Sequence, residues 1–179
     1  LYNSLLLPHI QYGLVTWGGA KGPNMKRVVA IQKKAVRTIS KSWFRSHTEP
    51  RMKALNILNL NDLYKQQTAI FIHDSVHGGL PKGLGDVFTL RRENLDYALR
   101  STTVDDLTVE TKSYTAGHAK KGFFSRAPEG WNLISRETRS IEKRNIFKKN
   151  LKKELLKEYN SEVPCHNIFC KDRTHHAKL

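Results

Sequence analysis

The sequence predicts a mainly α-helical protein: a helical bundle with an irregular connector and a long basic helix near the C-terminus. Two segments, 24–41 and 140–159, repeat apolar residues every three to five positions, which is the spacing of one helix face. Capping and proline signals mark further helix starts within residues 1–81. Segments typical of strands are short and lie in the middle of the chain.

The opening segment, 1–17, is dominated by large apolar side chains and contains Pro8. Proline removes a backbone hydrogen bond and clashes with the preceding turn, so we expect a kink or break of the helix there. The glycines at 18, 19 and 22 then predict a loop.

The second helix begins at Pro23 and Asn24 and runs to about Lys41. Its apolar residues have helical period and are Met25, Val28, Val29, Ala35, Val36 and Ile39. Its cations cover the other side and are Lys26, Arg27, Lys33, Lys34, Arg37 and Lys41. An amphipathic helix with a cationic outer side is therefore expected.

Two further helices follow. Residues 48–50, a threonine, an acid and a proline, start a short helix that ends near Leu55. Asn61 caps the next helix, and the glycine pair 78–79 ends it.

Residues 82–126 are rich in Gly, Thr, Ser and Asp and predict an irregular connector. Its β-compatible pieces, from which one hairpin could form, are 87–90, 102–104 and 122–124. The chain thus divides into a helical domain (1–81), a connector (82–138), a basic amphipathic helix (139–160) and a Cys/His tail (161–179) that we expect to be flexible.

Ser140 is the predicted N-cap of the basic C-terminal helix. The apolar stripe of this helix consists of Ile146, Phe147, Leu151, Leu155 or Leu156, and Tyr159. The rest is filled by Lys143, Arg144, Lys148, Lys149, Lys152, Lys153 and Lys157. We expect Trp131, Phe147 and Leu151 to hold the helix in place while its lysines face outward.

The chain carries 31 Lys and Arg against 16 Asp and Glu, a formal net charge of +15, and its pI is near 10.0. Such an imbalance indicates nucleic acid or an anionic membrane surface as partner. We favour nucleic acid, because the basic helix lacks the Trp-rich apolar face of membrane-surface helices and no apolar run approaches the ~18 residues of a membrane span. No motif of a catalytic nucleophile or a phosphate loop is present, so neither a catalytic residue nor a small-molecule substrate is predicted.

The predicted nucleic-acid site is the set of cations on the two basic helices and in a basic, aromatic part of the connector. These cations are Lys26, Lys33, Lys34, Arg37, Lys41, Lys120, Lys121, Arg126, Lys148, Lys149, Lys152 and Lys153. The aromatic pairs 43–44 and 123–124 could stack on bases or belong to the core, and both readings stay open.

Two groups of residues could hold zinc. Cys165, Cys170 and His175 cluster in the tail, where thiolates and an imidazole suit tetrahedral zinc, although their intervals fit no standard zinc finger. Residues 73–77 read H-D-S-V-H, which matches the spacing of zinc hydrolases but carries Asp where these carry Glu. The tail is the zinc candidate, and no other cofactor is expected of these residues. Two cysteines make no disulfide framework, so a reducing, intracellular compartment is expected.

An ordered series of landmarks resembles a known family. L-Y-N-S-L-L-L-P-H-I-Q-Y-G-L-V-T-W-G, I-Q-K-K-A-V-R-T-I, H-T-E-P, L-N-I-L-N-L-N-D-L-Y-K and G-G-L-P at 78–81 look like the region downstream of the palm in non-LTR (LINE-type) retrotransposon reverse transcriptases. Y-A-L-R at 97–100, and G-F-F-S-R-A-P-E-G-W-N-L-I followed by F-K-K-N-L-K, resemble the later part of that region. The resemblance covers about residues 1–160.

The resemblance implies a thumb-like helical bundle and C-terminal segment of an RNA-directed DNA polymerase, which grips template RNA and primer or nascent DNA. In that family the catalytic aspartates and their magnesium lie in an upstream palm, which nothing in this chain matches. We therefore expect no catalysis from these residues alone, a palm in the same polyprotein as partner, and a cytoplasmic and nuclear location. The chain begins with Leu inside an apolar segment and is expected to be a piece of a longer protein.

The alternative is a structural or protein-interaction module that derives from a retroelement and has no nucleic-acid function. Such a module would use its tryptophans for packing only.

Overall fold

A computed structural model of the chain describes residues 1–20, 22–81, 83–84, 87–90, 107–111 and 122–159. These residues are mainly helical, which confirms the predicted mainly α fold. A π-helical turn (Tyr2–Leu6) is followed by α1 (Leu7–Gln11), α2 (Leu14–Trp17), α3 (Pro23–Ile39), α4 (Glu49–Ala54), α5 (Leu60–Val76), α6 (Phe123–Asn132), α7 (Arg136–Arg139) and α8 (Arg144–Lys157).

The predicted break does not fall at Pro8: the helix changes from π to α there, since Leu6 and Leu7 both keep helical backbone angles, and it ends only at Tyr12. The π-helical turn ends at Leu6, and α1 begins at Leu7 with Pro8 in its first turn, where a missing N–H costs nothing. Gly13, at φ 59°, then turns the chain into α2, and the Trp17 indole Nε1 donates to the Tyr12 carbonyl at 2.8 Å. The apolar opening is thus three short helical pieces.

Helix α3 spans almost the predicted range and ends in a tight cap. The Ser42 N–H donates to the Arg37 carbonyl at 2.9 Å, and the Lys41 N–H donates to the Thr38 carbonyl at 3.2 Å. This pair of bonds is a Schellman motif, and it places Lys41 at φ 49° where glycine is usual. Helix α5 ends in the same motif, with Gly78 at φ 70° in the corresponding position.

The chain forms two compact units, which differ from the four predicted segments. The first unit consists of Leu1–Leu63 together with the chain from Lys153 onward, and the second is Tyr64–Lys152. Both boundaries therefore fall inside helices, one in α5 and one in α8.

The core of the first unit joins the opening helices to α3, α4 and the start of α5. Its most buried apolar side chains include Leu14, Val36, Met52, Leu58 and Leu60. The polar side chain of Gln32 is fully buried among them: its Nε2 lies 2.7 Å from the Tyr2 hydroxyl and 2.8 Å from the Leu58 carbonyl, and it donates to both. This amide links α3 to the opening turn and to the segment before α5.

The core of the second unit is built around Trp131 and Phe147, which are 1% and 0% exposed and whose ring centroids lie 5.7 Å apart. With Leu151 at 2% exposure, the three residues predicted to hold the basic helix are confirmed as buried. The next residue after the tryptophan, Asn132, accepts from the Val109 N–H at 3.0 Å and donates to the Val109 carbonyl at 3.1 Å. The segment 107–111 is thereby fixed to α6.

Four local predictions need correction. Residues 122–124 do not form a strand piece, because Gly122 precedes α6 and Ala127, Pro128 and Trp131 are buried at helical spacing. Ser140 does not cap α8, which starts at Arg144; it closes α7 and donates to the Glu137 carbonyl at 2.9 Å.

Asn61 is not the cap of α5, because the Asn59 side chain accepts from the Asp62 N–H at 2.9 Å and takes that role two residues earlier. Ile146 is 47% exposed, so the buried stripe of α8 is Phe147, Leu151, Leu155 and, beyond its end, Tyr159. Of the other β-compatible pieces, 87–90 contributes an antiparallel bridge from Leu90 to Val109, and 102–104 lies outside the described residues.

Candidate nucleic-acid interface

Five cations form one continuous basic face on α3. Successive residues of a helix are 100° apart, so Lys26, Lys33 and Arg37 fall in one row. Arg27 and Lys34 fall in the neighbouring row, and all of these cations but the half-buried Arg37 are exposed. The opposite side of the helix carries the fully buried Gln32 and Val36. The basic face of α3 therefore points away from the core of its unit.

Acidic residues are missing from the sequence around this face. The first Asp or Glu of the chain is Glu49, so the preceding 48 residues carry positive charge only. Their cations are Lys21, Lys26, Arg27, Lys33, Lys34, Arg37, Lys41 and Arg45. A face of this kind attracts polyanions, because positive charge is concentrated on it, although the first carboxylate, Glu49, lines the same cavity as Lys33 and offsets part of that charge.

Arg37 has a structural task in addition to its charge. Its Nε donates to the Ser46 carbonyl at 3.0 Å, which ties the loop after α3 back to the helix. Ser46 is fully buried, and its N–H donates to the Trp43 carbonyl at 3.0 Å, closing a turn over 43–46. Of the predicted site residues on α3, Arg37 is thus the one whose replacement would also disturb the fold.

The aromatic pair 43–44 lies on the surface. Trp43 is 42% exposed and Phe44 is 62% exposed, and their ring centroids are 4.8 Å apart at an angle of 46°. The guanidinium carbon of Arg45 lies 5.2 Å from the Phe44 ring centroid, within the range of a cation–π contact. For this pair the structure removes the core alternative.

The second predicted pair, 123–124, is different. The Phe123 ring contacts Phe71 and Phe88 edge-on, at centroid distances of 5.4 and 6.0 Å, and belongs to an aromatic cluster. Phe124 is half exposed but packs on the Phe123 ring at 5.3 Å. Arg126 follows on the same helix and is half-buried. This cluster is a packing feature, and Phe124 is its most exposed ring.

Helix α8 presents a row of lysines opposite its buried stripe. Lys149, Lys153 and Lys157 are exposed and recur every four residues, which places them about 6 Å apart along the axis. Lys148 and Lys152 lie one turn apart on the flank of this row. Burial lowers the pKa of the Lys152 ammonium, and the like charge of Lys148 lowers it further. An anion placed between these two lysines would relieve their repulsion.

Several predicted site residues cannot be placed. Lys120 and Lys121, and the proposed zinc ligands Cys165, Cys170 and His175, lie outside the described residues. Within the described ranges, no group of three or more His, Cys, Asp or Glu residues could hold a metal ion.

In the structure, the first histidine of the H-D-S-V-H motif packs in the core, and its aspartate forms an ion pair. His73 is 1% exposed, stacks on the Phe147 ring at 4.5 Å, and its Nε2 donates to the Ile141 carbonyl at 2.7 Å. The Asp74 carboxylate accepts from Arg144 Nε, at 3.0 Å to each oxygen. Both side chains are engaged in holding α5 to the segment that leads into α8 within the second unit.

Three cations that the sequence-based site omitted belong to these surfaces. Arg27 lies on the basic face of α3, Lys157 extends the lysine row of α8, and Arg45 covers Phe44. A helical projection could have found the first two, since both recur at helical spacing from predicted members. Arg45 has no periodic signal and depends on the turn at 43–46.

Comparison with protein-family models, curated proteins and solved structures finds no match for this chain. None of the helices in the described ranges is both long and apolar enough to cross a membrane.

Proposed function

We propose that this chain is a nucleic-acid-binding helical module. In this proposal it is the thumb and downstream region of a non-LTR retrotransposon reverse transcriptase, and it grips template RNA and primer or nascent DNA. Catalysis and magnesium belong to an upstream palm in the same polyprotein, which is its protein partner.

The basic face of α3 is the observation that carries the proposal. Lys26 and Lys33 are seven residues apart and therefore about 10 Å apart along the helix axis, the rise of about three nucleotides of one strand. Arg27 and Lys34 repeat this spacing in the neighbouring row. Two parallel rows of cations with that repeat can follow a phosphate backbone without reading its sequence.

The lysine row of α8 supports the same chemistry on a second helix. Its exposed members carry no acid between them in the row, because Glu154 lies on the flank toward the buried stripe. The polymerase part of the proposal is supported by the ordered landmarks in the sequence, which extend over both basic helices.

Binding to an RNA–DNA hybrid, measured by fluorescence anisotropy in increasing NaCl, tests the proposal. We expect the logarithm of the association constant to fall linearly with the logarithm of salt concentration, because phosphate contacts release counterions. A Lys26→Gln, Lys33→Gln, Lys34→Gln variant should bind more weakly and lower the slope by about 2–3.

The matched control removes the same charge from exposed cations outside both basic surfaces: Lys65→Gln, Arg136→Gln, Lys143→Gln. This variant should retain most of the affinity. The proposal would be overturned if the chain did not bind the hybrid at low salt, or if its affinity did not change with salt concentration. An equal loss of affinity in both variants would show that binding depends on the total charge of the chain and not on the basic face of α3.

A second candidate function is a protein-interaction module, and one surface of the first unit favours it. An apolar groove of about 340 Å³ lies between the opening turn and α3, and it is lined by Leu1, Tyr2, Leu6, Ile31, Lys34, Ala35, Thr38 and Ile39. Ile31 is 57% exposed beside it. In this case the hybrid would not bind, and a Lys26→Gln, Lys33→Gln variant, which leaves the lining of the groove unchanged, would keep its protein partner.

A further inference from the structure

We propose that Trp43 and Phe44 form a stacking site for an unpaired base of single-stranded RNA or DNA, beside phosphates held by the basic face of α3. This inference rests on the proposed function and adds the form of nucleic acid that the first unit takes. Its ligand is one nucleobase together with the phosphates that flank it.

The first reason is that two large aromatic rings, Trp43 and Phe44, lie next to each other on the surface and are exposed to solvent. Trp43 and Phe44 retain 42% and 62% of their surface in contact with solvent, whereas Trp131 retains 1%. Exposing a large aromatic side chain forgoes the free energy that its burial would contribute. The two rings are adjacent, with centroids 4.8 Å apart and planes at 46°, so a base that stacks on one ring would contact the edge of the other.

The second reason is that the turn carrying the rings is fixed before any ligand arrives. Arg37 holds the Ser46 carbonyl at 3.0 Å, and the Ser46 N–H closes the turn on the Trp43 carbonyl at 3.0 Å. The cap of α3 directs the chain into this turn through the Ser42 N–H and the Arg37 carbonyl, 2.9 Å apart. A preorganised site loses little conformational entropy on binding.

The third reason is the charge next to the rings. Lys41 precedes the aromatic pair and Arg45 follows it, with its guanidinium carbon 5.2 Å from the Phe44 ring centroid. Arg37, on the basic face of α3, is bonded to the same turn. Cations beside exposed rings are the combination used by proteins that bind single strands, where bases stack and phosphates pair with the cations.

An unpaired base is required because the faces of bases inside a duplex are covered by their neighbours. A single strand, or the unpaired overhang of a template beyond a primer end, offers such a face. Every base has a π-face, so the site is expected to tolerate any sequence. It is also expected to accept RNA and DNA alike, because stacking does not involve the 2′-hydroxyl.

The test compares strands of about 12 nucleotides, within the range of known single-strand sites. Oligo(dT) and oligo(U) carry bases, and an abasic deoxyribose strand of the same length carries the same phosphates without bases. The full chain should bind both base-bearing strands about tenfold more tightly than the abasic strand. Binding to oligo(dT) or oligo(U) should also quench part of the tryptophan fluorescence.

A Trp43→Leu, Phe44→Leu variant keeps apolar side chains and removes the rings. It should lose the preference for bases and retain its affinity for the abasic strand, while Trp43→Phe should keep most of the preference. Equal binding of base-bearing and abasic strands by the unaltered chain would overturn the stacking site and leave the proposed function standing. So would a preference that persists in the double variant. A chain that binds none of the three strands at low salt would overturn the proposed function as well.

Discussion

At the scale of single residues, a polar network joins the two stretches of the chain that make up the first unit. The Tyr159 hydroxyl donates to Asp62 Oδ2 at 2.7 Å and accepts from the Asn59 N–H at 2.7 Å. The Asn59 amide donates to the same carboxylate oxygen at 2.8 Å, and Lys53 Nζ donates to the Tyr159 carbonyl at 2.8 Å. Burial raises the pKa of the Tyr159 hydroxyl, so it stays protonated and can donate at physiological pH.

Replacing this hydroxyl should destabilise the protein. Tyr159→Phe leaves the half-buried Asn59 N–H without its acceptor and takes one donor from the buried Asp62, which is 6% exposed. We expect a loss of about 1–3 kcal/mol in the free energy of unfolding, the cost of an unsatisfied buried group. Urea unfolding measures this loss as a lower midpoint.

Tyr12→Phe is the control for that measurement, because the Tyr12 side chain is 86% exposed. It should leave the midpoint unchanged. Equal midpoints for the unaltered protein and Tyr159→Phe would mean that the network adds nothing to stability.

The sequence predicted the burial of Tyr159 but not its network. A ring at the end of an apolar stripe is a local pattern, whereas the partners Asn59 and Asp62 are about 100 residues away in the chain. The same limit explains the cap of α5: Asn59 and Asn61 are equally good cap residues by type. Only the structure shows which amide reaches the Asp62 N–H.

At the scale of the secondary-structure element, α3 and α5 show two versions of one helix ending. Both end in a Schellman motif, with Lys41 at φ 49° in one and Gly78 at φ 70° in the other. A side chain in the left-handed region brings its Cβ close to the following carbonyl oxygen, at a cost of about 1–2 kcal/mol. Helix α3 therefore carries strain that α5 avoids.

Replacing Lys41 by glycine and Gly78 by alanine should change the stability of the protein in opposite directions. We expect Lys41→Gly to raise the melting temperature by about 2–4 °C, because relief of strain outweighs the added freedom of the unfolded chain. Gly78→Ala should lower it by a similar amount, and by strain alone, since no atom lies within 4 Å of the added Cβ. Thermal unfolding followed by circular dichroism measures both.

A melting temperature lowered by Lys41→Gly would contradict this view of the α3 terminus. Under the proposed function, the same variant should also bind nucleic acid slightly less well, because one cation beside the turn is lost. Stability and affinity would then move in opposite directions.

Helices α3 and α8 could be predicted because their signals are local: apolar period, a proline at the start and dense cations. Helix α6 was missed because Phe123 and Phe124 are aromatic and follow a glycine, a pattern that favours strands. Its position depends on ring contacts with Phe71 and Phe88, which no local pattern contains. The candidate site followed the same division: the helical cations and the aromatic pair 43–44 were named from the sequence, whereas the turn at 43–46 that exposes this pair was not.

At the scale of the whole molecule, net charge is the dominant property. The sequence carries a formal charge of +15, and repulsion among like charges destabilises a compact state. Dissolved salt screens this repulsion, with a Debye length of about 10 Å at 0.1 M ionic strength. The protein should therefore be more stable in salt than in dilute buffer.

We expect the melting temperature without nucleic acid to rise by about 2–4 °C as NaCl is raised from dilute buffer, the shift that about 1 kcal/mol produces at this size. The Lys26→Gln, Lys33→Gln, Lys34→Gln variant should show a smaller rise, because it carries less charge to screen. Differential scanning calorimetry with chloride as the anion measures both. A melting temperature that falls with salt would indicate that attractive ion pairs outweigh the excess of positive charge.

The division into compact units was outside the reach of sequence patterns. Those patterns place boundaries at Gly- and Pro-rich stretches, whereas the two boundaries found here lie within α5 and α8. Each of these helices supplies apolar side chains to both units, such as Leu63 to the first and Ile72 to the second from α5. Because the apolar pattern of each helix is continuous, it does not show where the side chains pass from one unit to the other.

The contact between Asn132 and Val109 has a consequence for association between copies of the chain. The Val109 N–H and carbonyl pair with the Asn132 carboxamide, while the adjacent Glu110 N–H donates to the Thr89 carbonyl at 3.1 Å. The carboxamide thus occupies the edge of the extended segment at Val109 that a further strand would otherwise take. Unpaired edges of this kind template aggregation, and proteins normally blunt them with charges, proline or a covering helix. Here the Asn132 side chain, at the end of α6, covers this edge. Its carboxamide pairs with the Val109 N–H and carbonyl as the backbone of a neighbouring strand would.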